Sequence, residues 1–289
     1  MTAPPRSSTT GERLRAFRRN RLALVGAALL VLLVAFCFLG PLVYVTDQVH
    51  TVLEAARLLP GEEGHPLGTD DLGYDVLGRL MAAGQTSLVI GLAAGALATV
   101  IGTAWGAVAG FYGGWLDAVM MRVVDAGTAI PGLFLLVVAA TLVTPSVPVL
   151  IVVIGLVSWL VPARLMRAES LALRTRAYVE AMRLAGGTGL GAIRRHIVPN
   201  AIGTVIVNAT FQVADAILLV TYVSFLGLGI PPPAANWGGM LSGGLAYSYD
   251  GYWWLIFPPG LLIVLTVCAF TFIGDGLRDA FDVRFRERA

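Results

Sequence analysis

The side chains able to do chemistry in this chain are few, and their spacing excludes more than it offers. His50, His65 and His196 stand in polar connections, with no metal-ligand spacing among them. Cys37 and Cys268 lie far apart inside apolar runs, where small buried hydrophobes are expected rather than a disulfide or a metal site. All 20 basic residues are arginine. Without lysine the Gly-Lys-Ser/Thr phosphate loop of a nucleotidase cannot be built, and lysine Schiff-base catalysis is excluded for the same reason. No nucleophile–base pair or metal cluster falls within an apolar stretch. No catalytic residue, bound cofactor or metal ligand is therefore expected in this chain.

Two places remain. In the first, residues 177–185 predict a short helix of strong helix formers, stopped by Gly186 and Gly187. Val179, Met182 and Ala185 recur at spacings of three, giving one narrow apolar face, while Glu180 and Arg183 are spaced to pair elsewhere on the helix. Such a helix buries too little to be stable alone, so it needs a partner surface: another protein, the membrane, or the chain's own helix ends. The second place is Asp215, the only charge between Ile197 and Tyr249. An acid at membrane depth is costly and points to a polar path or a substrate amine; the plainer alternative is a carboxylate satisfied by hydroxyls or amides of a partner subunit.

The elements that position these residues follow from composition. The chain is 57% hydrophobic and 13% charged, with mean hydropathy +0.78, and soluble domains carry about twice that charged fraction. Charge-free stretches run from Arg79 to Asp117, from Asp125 to Arg164 and from Gly251 to Gly274. Because about 20 apolar residues cross a bilayer, six spans are expected, at about 22–45, 84–110, 123–143, 147–166, 200–227 and 253–274. The turn between the third and fourth falls at Pro145 and Pro148. The fold class is thus an all-α polytopic membrane protein with a short helix between spans four and five.

Arginine sets the expected orientation. Residues 1–21 hold six arginines against Glu12, and residues 164–196 hold seven against Glu169 and Glu180. Residues 46–83 carry Arg57 and Arg79 against seven acids. The positive-inside rule makes 1–21, 167–199 and 275–289, with Arg278, Arg284, Arg286 and Arg288, cytoplasmic, and 46–83 and 229–252 external. Residues 111–122 are neutral and give no vote. The first apolar run is too long for a cleavable signal and is expected to be retained, behind a disordered 1–11. Tyr247, Tyr249, Tyr252, Trp253, Trp254 and Phe257 form an aromatic belt where the last span enters, and Pro258 and Pro259 give it a kink or a late start.

Glu180 and Ala181, Gly186 six residues after the glutamate, and the HIVPN run at 196–200 resemble the EAA loop of permease subunits from bacterial ATP-binding-cassette importers. The chain is similar, more closely, to the C-type permease of dipeptide, oligopeptide and nickel importers. That likeness rests on Arg19, Asn20 and Arg21, HPLGTDDLGYDVLGR at 65–79, SFLGLG at 224–229 with NWG at 236–238, and GDGLRDA at 274–280. It covers about residues 19–286. Two positions depart from the pattern: Tyr74 stands where arginine is common, and Val220 or a neighbour where a glutamate is frequent.

The resemblance implies a non-catalytic half of a translocation path for di- or oligopeptides. A second, homologous permease would complete the path, and an extracytoplasmic binding protein would deliver substrate. ATP and Mg2+ would bind in two separate cytoplasmic ATPase subunits. Glu180, Ala181, Gly186 and, with a weaker claim, Arg183 would contact the ATPase; Asp215 would lie on the substrate path. Nickel and glutathione importers share the pattern. An ATP-independent secondary transporter would want inverted repeats and several intramembrane charges, of which Asp215 alone qualifies.

Overall fold

The computed structural model describes residues 10–282; the tail before Thr10 and Arg284, Arg286 and Arg288 lie outside them. Every regular element among the described residues is helical, and the one β-bridge pairs Thr69 with Asp75. The chain runs through α1 (Thr10–Arg19), α2 (Arg21–Val43), α3 (Val76–Tyr112), α4 (Gly114–Ala129), α5 (Gly132–Leu142), α6 (Val147–Ser158) and α7 (Leu160–Leu173). It continues through α8 (Ala177–Leu184), α9 (Gly189–Ala192), α10 (Val198–Asn200), α11 (Ile202–Val223), α12 (Trp237–Leu245) and α13 (Phe257–Asp282). Four helices, those containing α2, α3, α11 and α13, are long and apolar enough to cross a membrane, and the bent pairs α4/α5 and α6/α7 raise the number to six.

Helix α3 is the axis of the bundle, and its glycines explain why. Gly102, Gly106 and Gly110 recur every fourth residue and so share one face. A Cβ on Gly106 would meet the Ala163 carbonyl oxygen, and one on Gly110 would lie 2.5 Å from the Arg167 oxygen. The backbones of α3 and α7 therefore touch, as small residues spaced by four allow in helices that cannot rely on a hydrophobic driving force between them. Gly95 does the same against the Val213 backbone of α11, and Gly91 leaves room for the Ile217 side chain.

Two spans are broken by proline. Pro131 has no N–H to give the Gly127 carbonyl, and α4 and α5 meet there at 80°. Pro162 likewise withholds a donor from Ser158, where α6 bends 45° into α7. The freed Ser158 carbonyl accepts instead from Gln212 Nε2 of α11, at 2.7 Å.

Several boundaries differ from the sequence expectation. Asp75 caps α3, its Oδ1 accepting from the Gly78 N–H at 2.7 Å, so the helix begins eight residues before 84. The neutral 111–122 connection reduces to Gly113, at φ 66°, between two helices. Helix α7 extends to Leu173, past the expected end of the fourth span at 166, and takes up Arg167 from the expected cytoplasmic segment. The last helix starts late, with both prolines in its first turn. The aromatic cluster divides: Trp254 is buried in the core and donates from Nε1 toward Thr69 O (3.4 Å), while Trp253, Tyr249 and Phe257 stay exposed.

Candidate functional site

Helix α8 owes its length to local signals. Gly186, at φ +81°, follows the C-cap residue Ala185. The Gly187 N–H donates to Met182 O and the Gly186 N–H to Arg183 O, both at 3.0 Å. This pair of bonds is the Schellman stop that a left-handed glycine permits. Thr188 then caps the following turn, accepting from the Gly191 N–H at 3.2 Å.

The helix is anchored on one face and bare on the other. Val179 is fully buried, and Met182 packs beside it, in a cluster with Ala107 and Phe111 of α3, Met166 of α7 and Ile193 and Ile197. Ala185, expected on that apolar face, is exposed instead. Arg183 does not pair with Glu180: its guanidinium carbon lies 4.4 Å from the Phe111 ring centroid, a cation–π contact. Glu180, Ala181 and Gly186 are exposed, and Leu184 is 90% exposed. A leucine turned outward beside an acid and two alanines leaves a small amphipathic surface with nothing of the described residues upon it.

A row of polar contacts ties α7, which leads directly into α8, to its neighbours. Arg167 makes a bidentate pair with Asp117 of α4, both bonds at 2.6 Å. Arg164 donates to Asp125 and to Thr128 Oγ1, each at 2.8 Å. Ser170 Oγ donates to Ala107 O at 3.0 Å, and Arg174 Nη1 to Gly110 O at 3.2 Å. Sequence reasoning missed Asp117 and Asp125 as partners, because each lies some forty or fifty residues from its arginine.

Asp215 is exposed on α11, and nothing among the described residues hydrogen-bonds or pairs with it. It lines a cleft of about 490 Å³ together with Gly127, Pro131, Ser158, Gln212 and Tyr222, where both broken spans meet α11. A second cleft, about 390 Å³, lies along the same helix at Thr204 and Asn208, with Glu169 and Arg278. Glu169 accepts from Thr204 Oγ1 at 2.9 Å, and Asn208 Oδ1 is buried without a partner.

The acidic segment before α3 is a folded module rather than a solvated loop. Asp75 Oδ2 accepts from Tyr44 Oη at 2.9 Å and lies 2.8 Å from His65 Nδ1. Burial and that bond to Asp75 push the Tyr44 hydroxyl up to about 12. Asp70 Oδ1 accepts from the Leu72 and Tyr74 N–H groups, at 3.0 and 2.9 Å, and burial holds its carboxyl above the usual range. Arg79 sits 4.1 Å over the Tyr74 ring and donates to Pro233 O at 2.8 Å, joining this module to the segment after α11. Tyr74, where arginine is common in the pattern, thus serves as the platform for an arginine.

Residues 102–287 match a family model described as the binding-protein-dependent transport system inner membrane component. Residues 8–60 match the N-terminal TM domain of oligopeptide transport permease C. The oligopeptide transport system permease protein OppC of Escherichia coli K12 is 41% identical over 273 residues, 94% of this chain and 90% of that protein. The dipeptide transport system permease protein DppC of Bacillus subtilis 168 is 35% identical over 282 residues, 98% of this chain and 88% of its own. OppC of the same Bacillus strain is 37% identical over 272 residues, covering 94% of this chain and 88% of that protein.

Proposed function

We propose, on the premise that the chain belongs to the binding-protein-dependent inner-membrane transport components and is a multi-pass membrane protein, that it is one of two permease subunits of an ATP-driven importer of di- or oligopeptides. The peptide substrate follows the names of its relatives, oligopeptide and dipeptide permeases. The arginine-rich end, with α1, α8 and the start of α11, faces the cytoplasm, and the acidic module faces outward. Two ATPase subunits hold the ATP and Mg2+, a second permease completes the path, and an external binding protein supplies the peptide.

The observation that carries this reading is α8: a helix pinned on one side and bare on the other, with Glu180, Ala181 and Leu184 outward. Such a helix is built to receive a partner and not to move relative to its own chain. Docked in an ATPase groove, it passes any displacement through the three-residue link Arg174, Thr175 and Arg176 into α7. The Arg164, Arg167, Ser170 and Arg174 contacts then hand it to α4 and α3. Closure of the ATPase pair thereby biases two arrangements of packed helices, which is alternating access. Asp215, on the uncovered face of α11, lies on the path. Copurification tests the assembly: two ATPase subunits are expected to accompany the chain, and uptake by this chain alone under an ion gradient would contradict it.

A further inference from the structure

Resting on the permease reading, we infer that the Asp215 cleft is an ammonium subsite of the translocation path, one that receives the free amino terminus of a peptide. Three independent features of α11 and its neighbours lead there.

The first is a stripe. Thr204, Asn208, Asp215 and Tyr222 are separated by four, seven and seven residues, which at 100° per residue places them within about 40° of one another on the helix. All four are half-buried or exposed, whereas the opposite side of α11, with Ala216, Ile217 and Val220, is in the core. Phe211 interrupts this line, but four polar residues on one side of an apolar helix do not make a lipid face. Both clefts lie on it.

The second is the break in two spans at one level. Irregular backbone inside a membrane persists only where protein buries it or water reaches it. Residues from both breaks, Gly127 and Pro131 from one and Ser158 and Leu160 from the other, line the Asp215 cleft. The Ser158 carbonyl is satisfied by Gln212, but Ser158 Oγ is buried without a partner and Pro131 leaves the Gly127 carbonyl without its helical donor.

The third is the balance of charge. The cleft holds a carboxylate and freed carbonyl oxygen, and no basic residue lines it. One amide N–H of Gln212 is committed to Ser158, and the Thr128 hydroxyl to its own helix. Arg164, which reaches Thr128, is held by Asp125. A carboxylate with no cation beside it, among hydroxyls that can turn a lone pair inward, suits a cationic donor, and an ammonium group has three N–H donors and no acceptor. Every peptide with a free N-terminus carries one.

The test reads the site without needing the substrate. In the assembled complex, in a Cys37→Ala, Cys268→Ala background, Leu218→Cys and Tyr222→Cys are labelled with small cationic and anionic methanethiosulfonates. Val264→Cys on the exposed apolar face of α13 serves as control. The cationic reagent is expected to react about tenfold faster than the anionic one at Leu218→Cys, one turn from Asp215. Adding Asp215→Asn should remove that preference, while Asp215→Glu should keep it. Equal rates for the two reagents mean that a basic group of the partner subunit neutralises Asp215, and overturn the proposal. Labelling no faster than at Val264→Cys means a dry face, and overturns it too. Uptake of a tripeptide by the same complex tests the peptide reading separately, since its loss in the unmodified complex would leave the labelling result standing.

Discussion

Asp117 and Asp215 are both carboxylates on helices of the transmembrane bundle, and the fold treats them in opposite ways. Asp117, 8% exposed as a residue, receives two short bonds from Arg167 and is closed over by α3, α4 and α7. Asp215 receives nothing and faces a cleft where two helices are broken. One acid is spent on joining helices and the other is left available. The difference teaches which intramembrane polar group to read as structure: a carboxylate with a bidentate guanidinium is satisfied, while one without a partner waits for a ligand or another subunit.

That contrast can be broken from its structural side. Gly106→Leu should have the largest effect, because its side chain would drive α3 away from the Ala163 and Arg167 backbone. A loss of more than about 3 kcal/mol and little folded protein are expected, measured as the monodisperse fraction recovered in detergent. Asp117→Ala should come next, at about 2 kcal/mol, reduced from the fully buried figure because the Arg167 side chain is 37% exposed. Thermal unfolding of the purified complex measures it, and joint replacement of Asp117 and Arg167 by leucine should recover most of the loss.

The functional side sharpens the contrast with smaller changes. Asp125→Asn removes an exposed pair with Arg164 and should cost at most about 1 kcal/mol in the same unfolding assay. Asp215→Asn should leave the unfolding midpoint almost unmoved, within about 0.5 kcal/mol. Uptake of a peptide with a free amino terminus should nevertheless fall. A destabilised Asp215→Asn variant would show that both acids are structural.

How much of this was legible in the sequence depends on the range of each signal. The apolar stretches, the all-helical class and the short α8 are local patterns, and Gly186 with Gly187 marks where that helix stops. The resemblance in the EAA segment and its companion stretches carried the family. The breaks at Pro131 and Pro162 had a sequence signal, but membrane helices tolerate single prolines when neighbours satisfy the freed carbonyls. Whether a span bends is thus decided by residues such as Gln212, fifty-four positions from Ser158. Local spacing pairs Arg183 with Glu180; the Phe111 ring, seventy-two residues earlier, takes the guanidinium instead. In the acidic module the turn and the helix cap are local, with Asp70 and Asp75 serving nearby backbone N–H groups, whereas the Arg79 bond to Pro233 spans 154 residues and has no local signal. The stripe on α11 was present in the spacing of Thr204, Asn208, Asp215 and Tyr222, and it acquires meaning only once the opposite face is known to be core.

The central claim is that α8 couples this permease to an ATPase carried by other subunits, and Glu180→Arg tests it most directly. The variant is reconstituted with its partner subunits, and ATP hydrolysis and peptide uptake are measured on the same vesicles. Because Glu180 is exposed and pairs with nothing among the described residues, the complex is expected to fold and insert normally. Peptide transported per ATP hydrolysed should drop about tenfold or more, as expected when one buried charge of a docking pair is reversed. Uptake and hydrolysis that remain coupled as in the unmodified complex would contradict the account.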